Sequence, residues 1–331
     1  MTAGPGGSAI AERGRAITLT DGPAASAAPI QLRQCLVDDG YLMMRGLLDP
    51  ELVGRVRDDI IGVLFDCNIL ESSHAPAVWS GGPVPTEGEY MAYYERIVEL
   101  DSFNALAESA QIAALMEVLW DGPVDIWRQR LVRIIPPDPA GVAPLGLGAH
   151  QDGSPQLGYL TDNFVTCWVP LTDIDASMGG LMLVPGSHRS GVREQTGSVA
   201  SSLKAATAKP FDLDSAEEEW ASTEYRAGDA VIFGSMTLHR GAANVSDRLR
   251  LSCDFRYQPA GASANWLANT PGPEVRRVAQ EIDEVIASRA LYVTTHASEE
   301  LTDRIRRRML AERSTSLGRA QQLAAELGHP Q

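Results

Sequence analysis

Apolar and polar positions along this chain repeat with two different periods, and the change of period divides it. Toward the N-terminus the repeat is helical. "QLRQCLVDDG" predicts a short helix ending at Gly40, and "YLMMRGLL" a short strand. "DPELVGRVRDDIIGVLF" predicts a longer helix, with Asp49 as N-cap and Pro50 at the first helical position, where its missing N–H is harmless. Residues 71–90, "ESSHAPAVWSGGPVPTEGEY", are rich in Gly, Pro and Ser and predict a long loop. "FNALAESAQIAALMEVLW" predicts one further helix ending before Asp121-Gly122.

From residue 124 to 258 the apolar runs become short and are broken by Gly/Pro turns: "VDIWRQRLVRII", "NFVTCWVPL", "GLMLVPG", "DAVIFG" and "LRLSCDFRYQ". Several short strands at this spacing favour a β-sandwich or barrel over an α/β fold. After residue 259 helical segments return, as in "PEVRRVAQEIDEVIASRALY" and "EELTDRIRRRMLAERS". Their charges suit solvated faces, with one apolar stripe left to pack on the sheet.

One strand has a strict period of two. In "RLRLSCDFRY", Leu249, Leu251, Cys253, Phe255 and Tyr257 alternate with Arg248, Arg250, Ser252, Asp254 and Arg256. In a simple sheet the polar face is the wet outside. In a barrel jacketed by helices it lines a functional interior, where Arg256 and Asp254 would suit a polar substrate. Periodicity alone leaves both arrangements open.

Composition narrows the class. The 331 residues are 44% hydrophobic and 21% charged, so the chain can bury a core. A net charge of −15 repels polyanions, which argues against nucleic acid or an anionic membrane as partner. Apolar runs such as "ALMEVLW" fall far short of the roughly 20 residues that span a bilayer. Residues 1–29, rich in Gly, Ala and Pro, predict a flexible arm without a signal-peptide core. Cys35, Cys67, Cys167 and Cys253 show no C-x-x-C spacing, which fits reduced thiols in a cytoplasm rather than a zinc ribbon. The domain division expected is an arm at 1–29 and one domain at 30–331. That domain has N-terminal helices and a lid loop at 30–123, a β core at 124–258 and C-terminal helices at 259–331.

The candidate chemistry lies in "LGLGAHQDGSPQLGYL". In an extended segment His150 and Asp152 share a face while Gln151 points away. A second histidine, His239, follows the strand "DAVIF" in "GSMTLHRG". Two histidines and one carboxylate are a donor set suited to non-haem Fe(II) with positions left open. Soft donors would favour zinc or copper, and an all-oxygen set magnesium.

With these residues in order, the chain resembles the phytanoyl-CoA dioxygenase family of Fe(II)- and 2-oxoglutarate-dependent oxygenases. The likeness runs from about residue 31 to 258, through "LVDDGYLMMRGLLDPELVGRVR", "HQDGSP", "CWVPLTDID", "GGLMLVPGSHRSG" and "AGDAVIFGSMTLHRGAANVSDRLRLSCDFRY". Each piece is weak alone, and five in the right order are specific. The resemblance implies a mainly β fold, a double-stranded β-helix (jelly-roll, cupin-like barrel) covered by α-helices. It implies His150, Asp152 and His239 as ligands of Fe(II), with 2-oxoglutarate and dioxygen as cosubstrates.

It also implies that Arg250, in the context Asn244-x-Ser246, grips the far carboxylate of 2-oxoglutarate, a task suited to a permanently charged guanidinium fork. Arg248 is the rival for that role. Trp168 matches an aromatic bordering the cosubstrate, and Gln129 a polar neighbour of it. Relatives use the region before the barrel as a substrate-covering lid, which brings in His74, Trp79, Tyr90, Tyr93 and Tyr94, although aromatics in such a loop can equally anchor it to the core. His188 in the "PGSH" turn reads as structural, and His296 and His329 as solvated.

The activity implied is hydroxylation of an unactivated C–H bond in a small molecule, with natural-product tailoring as the setting and succinate and CO2 released. Asp152 argues against halogenation, for which a small residue stands in that place. Desaturation, epimerisation and cyclisation stay open, as does a homodimer. The rival from another class is a cupin-like protein with a redox-neutral or non-catalytic metal, which leaves Arg250 unexplained. No Lys/Arg cluster stands out that would seat a CoA phosphate.

Overall fold

The computed structural model describes residues 15–74, 76–78, 80, 87–127, 130–138, 148–153, 163–191, 193 and 218–262, backbone only at 15–16 and 87–92. Its centre is the alternating strand singled out above. β10 (Arg250–Pro259) takes β5 (Val165–Pro170) along one edge and β4 (Leu131–Ile135) and β3 (Val124–Ile126) in succession along the other, all antiparallel. β8 (Ala230–Gly234) and β2 (Tyr41–Met44) extend the sheet beyond β5 to six strands. A smaller sheet has the order β1 (Arg15–Thr18), β7 (Glu219–Ser222), β6 (Leu181–Leu183), β9 (His239–Gly241).

Both faces of β10 are dry. Leu251, Cys253, Phe255 and Tyr257 join Val165, Cys167 and Val169 of β5 in a core shared with helices. Those helices are α2 (Pro50–Asp66), α4 (Asp101–Ala107) and α5 (Ala110–Trp120), which contribute Val56, Ile60, Phe103, Leu106, Leu115 and Met116. α3 (Glu87–Val98) adds Tyr93 and Ile97 to the same layer. The opposite face carries Arg250, Ser252, Asp254 and Arg256, each no more than 6% exposed. Of the two arrangements that periodicity left open, the helix-jacketed one is observed. The two sheets face each other through Met43, Trp168, Val231 and Phe233 of the large one and Leu181, Leu183 and Ala221 of the small one. This is the mainly β, jelly-roll architecture expected, with helices on the outside of the larger sheet.

Local sequence explains most boundaries. Asp49 caps α2, accepting from Glu51 N at 2.9 Å with Pro50 at the first turn. α1 (Pro29–Asp38) stops before Gly40, whose φ of +78° suits glycine. A Cβ at Gly40 would also sit 2.4 Å from the His188 ring, so that turn packs directly on the PGSH turn. His188 itself bonds the Val37 carbonyl at 3.0 Å, the structural part expected of it.

Four details differ from the expectation. The segment 103–120 is two helices, because the Ser109 hydroxyl caps a new start at Ala110 by accepting from Ile112 N. Part of the expected loop 71–90 is helical, since α3 begins at Glu87. Residues 15–18, expected within a flexible arm, pair in parallel with β7. "VDIWRQRLVRII" is two strands, β3 and β4, separated around Trp127, whose indole donates to Gln258 Oε1 at 2.6 Å. The C-terminal helices expected beyond residue 262 lie outside the described residues. Among the described residues, no helix is long and apolar enough to cross a membrane.

The two faces of β10 predict different costs. Phe255→Ala, deleting a fully buried ring that meets Phe103 at 5.5 Å between centroids, should destabilise the protein by about 3–5 kcal/mol in urea unfolding. Ser252→Ala on the cavity face should cost no more than about 1.5 kcal/mol.

Candidate metal and cosubstrate site

His150 and His239, 89 positions apart, form an isolated antiparallel bridge. His150 N donates to His239 O at 2.9 Å and His239 N to His150 O at 3.0 Å. In such a hydrogen-bonded pair the two side chains leave on the same side, and the ring centroids stand 4.1 Å apart. Each ring is then oriented locally. Nδ1 of His150 lies 2.8 Å from Gly148 O, and Nδ1 of His239 lies 3.0 Å from Thr237 O. A carbonyl only accepts, so both Nδ1 atoms carry a proton, and that contact leaves each Nε2 turned toward the carboxylate.

Both Nε2 atoms face the same carboxylate oxygen. Asp152 Oδ1 is 3.6 Å from His150 Nε2 and 3.8 Å from His239 Nε2. The other oxygen, Oδ2, accepts from Thr166 Oγ1 at 2.6 Å and lies 3.2 Å from Arg256 Nη2. Thr166 and Arg256 are direct cross-strand partners on β5 and β10. Burial by itself would raise the Asp152 pKa, but the Arg256 guanidinium and the two imidazoles together outweigh it and hold the carboxyl well below the usual range. Burial and the neighbouring His150 ring push His239 down to about 3, so it is neutral at any working pH.

Two imidazole nitrogens and one carboxylate oxygen thus converge, all ligand atoms lying within 4.8 Å of one another. Among the described residues this is the only His/Cys/Asp/Glu trio arranged to hold a metal ion. The donor set fits Fe(II), since imidazole and carboxylate suit it and no thiolate is present.

Arg250 lies in the same cavity as the two rings, together with Trp168, Phe233, Ser252 and Asp254. Its Nη1 donates to the carbonyls of Gly179 and Ala242. Gly241 makes room for it, because a Cβ there would stand 2.9 Å from Nη2. Burial, then the charge of Arg133, push its pKa down to about 10, which leaves it cationic at neutral pH. Trp168 meets Tyr225 edge to face at 4.7 Å. Arg133 also lines the cavity and pairs with Asp254 at 2.6 Å.

The structure separates the remaining sequence candidates. Arg248, the rival of Arg250, pairs with Asp175 outside the cavity and is about a third exposed. Asn244 and Ser246 build the turn into β10, with Asn244 Nδ2 donating to Ile135 O and Arg248 O. Arg256, expected to face substrate, is 2% exposed and turned onto Asp152 instead. Tyr93 is buried among the helices and Tyr94 donates to Arg130 O at 3.0 Å, so both anchor α3 and neither is among the cavity residues. Gln129 and Trp79, and the side chain of Tyr90, lie outside the described residues.

Three contributors were not singled out from sequence. Thr166 carried a signal, a polar residue alternating with Trp168 on an otherwise apolar strand. Arg133 carried none. Gln151, recognised only as pointing away from its neighbours, is fully buried. It donates to Gly191 O and Met236 O and accepts from Arg193 N, which ties the His150 segment to the loop before His239.

The phytanoyl-CoA dioxygenase (PhyH) family profile matches residues 36–252. The chain is 27% identical over 250 residues to the 1-deoxypentalenic acid 11-beta-hydroxylase of Streptomyces arenae, covering 72% of this chain and 83% of that one. The enzyme of the same name from Streptomyces exfoliatus is 25% identical over 252 residues, with the same coverage. Among solved structures, the non-haem alpha-ketoglutarate-dependent carbocyclase SnoK of nogalamycin biosynthesis superposes with a TM-score of 0.51 at 19% identity, over 78% of this chain and 94% of that one. That last likeness speaks to the fold. The site and the fold together define a non-haem iron oxygenase. The chain belongs to the phytanoyl-CoA dioxygenase family, and with it to the Fe(II)- and 2-oxoglutarate-dependent enzymes.

The buried pair of Asp152 and Arg256 predicts a stability signature in metal-free protein. Asp152→Ala leaves the Arg256 charge uncompensated and should cost about 3–5 kcal/mol in chemical denaturation. Adding Arg256→Met should recover part of that loss, with a coupling of at least about 1 kcal/mol in the double-mutant cycle.

Proposed function

We propose that this protein hydroxylates an unactivated C–H bond of a small secondary metabolite, consuming 2-oxoglutarate and releasing succinate and CO2, in the cytoplasm. One observation carries the reading: the two imidazoles of the His150, Asp152 and His239 donor cluster line the same cavity as the buried cation Arg250. In this reading His150 Nε2, His239 Nε2 and Asp152 Oδ1 hold Fe(II). The bound iron, with 2-oxoglutarate and dioxygen, supplies the oxidising power that protein side chains lack.

The chain's own residues do the rest. Arg250 is fixed by the Gly179 and Ala242 carbonyls, which leaves the rest of its guanidinium fork to receive the far carboxylate of the keto acid. Because the site is nearly dry, that charge pairing is stronger than it would be in water. Trp168 and Phe233 wall the cavity and exclude solvent from the cosubstrate. Thr166 and Arg256 hold Asp152 ionised without a proton that would compete with the metal. Arg133 and Asp254 present a paired charge to the cavity, which a polar substrate can meet without stranding either group. The Streptomyces relatives, 1-deoxypentalenic acid 11-beta-hydroxylases by name, support a natural-product substrate.

Anaerobic Fe(II) and 2-oxoglutarate together should produce a weak visible absorption band that neither produces alone. Arg250→Ala should weaken 2-oxoglutarate binding by at least about 30-fold, as expected for stripping one partner from a buried charge pair. Arg248→Ala should change it by less than about 2-fold, in keeping with an exposed ion pair. A chain that binds iron but shows neither the band nor succinate release from a metabolite extract would be a metal-binding cupin-like protein instead.

A further inference from the structure

We propose that Thr166 and Arg256 are positioning residues that restrict Asp152 to ligation through one oxygen, and so keep open a coordination position that 2-oxoglutarate needs. The inference rests on the reading of His150, Asp152 and His239 as the iron ligands.

The geometry divides the two oxygens of Asp152 without overlap. Oδ1 faces both imidazole Nε2 atoms, at 3.6 and 3.8 Å. Oδ2 receives the Thr166 hydroxyl at 2.6 Å and the Arg256 guanidinium at 3.2 Å. A carboxylate oxygen has two in-plane acceptor sites; the Thr166 hydroxyl takes one on Oδ2, and the Arg256 guanidinium stands against the same oxygen as its ion-pair partner. Hard divalent cations take carboxylates through one oxygen or through both, and the choice lies with the surroundings. Thr166, Arg256 and Asp152 are 1%, 2% and 2% exposed, so little solvent reaches Oδ2 to replace a lost donor.

The donors are also held rigidly. They face each other across the β5–β10 ladder, and the backbone register sets their spacing rather than flexible side-chain choice. If either partner is lost, Oδ2 keeps the other but has an unfilled, desolvated acceptor site beside a dication, and the metal becomes the best available occupant of that site. A second bond from Asp152 would hold the metal as well as before, but it would occupy a position that the bidentate keto acid requires. The loss should therefore appear in cosubstrate affinity rather than in metal affinity. A merely structural role would weaken both.

The test uses the full chain under anaerobic conditions, with Thr166→Val, Thr166→Ser and Arg256→Met. Fe(II) binding to each protein is measured by calorimetry. Binding of 2-oxoglutarate to the iron-loaded protein is then measured by calorimetry and by the visible band. Thr166→Val, which keeps the side-chain shape, should weaken 2-oxoglutarate affinity about 10-fold or more while changing Fe(II) affinity by less than about 3-fold. Thr166→Ser should restore both, and Arg256→Met should follow Thr166→Val. Parallel losses of iron and cosubstrate affinity, or no change in either, would overturn the proposal, and Thr166→Val alone decides it if Arg256→Met does not fold. Failure of the unsubstituted chain to bind Fe(II) and 2-oxoglutarate would instead overturn the ligand assignment, before any variant is compared.

Discussion

β10 lies between a helical layer and a second sheet, so neither of its faces meets water. Its outer face satisfies that condition with apolar side chains. Its inner face carries a row of Arg250, Ser252, Asp254 and Arg256, and burying charges is unfavourable unless each finds a partner. Every charge in the row has one. Arg250 is held by two backbone carbonyls, Asp254 by Arg133, and Arg256 by Asp152. The last of these pairings makes the site, because it fixes the carboxylate that stands between the two imidazoles.

The backbone supplies the other half of the site. The His150–His239 bridge brings two rings together by main-chain hydrogen bonds, before any metal is involved. Gln151 then braces one histidine's segment against the loop leading to the other. Both rings are oriented by carbonyls two residues earlier in their own segments. The donor atoms are therefore preorganised by elements that hold without the ion, and the metal is asked to contribute little ordering of its own.

The cavity face of this centre is neither apolar nor uniformly charged. Arg250 is met by backbone carbonyls rather than by a paired carboxylate among the described residues, whereas Arg133 and Asp254 neutralise each other nearby. Under the function proposed above, a dianionic keto acid and a less charged substrate would be met by different parts of one row of side chains. Family membership accounts for the first, and the second is where individual relatives with different substrates are free to diverge.

Much was legible in the linear chain. The helical repeat around Asp49-Pro50, the strict alternation in "RLRLSCDFRY" and the spacing of His150 and Asp152 are local patterns, and the physics that reads them is local. The donor chemistry added His239 as a candidate third ligand, and the family resemblance then joined Arg250 to the site. What the chain could not reveal was which way the polar face of β10 turns, because a strand's alternation looks the same whether helices or water cover its other side. That decision required α2, α4 and α5 to be packed in place. The same packing turned Arg256 onto Asp152, recruited Thr166 and Arg133 from strands distant in sequence, sent Arg248 to the surface, and bound Tyr93 and Tyr94 into the helical layer. Residue types and their periods determined the elements and the metal-binding chemistry. Only the tertiary fold decided partnerships, since a buried charge is matched by whatever the neighbouring strand brings within reach.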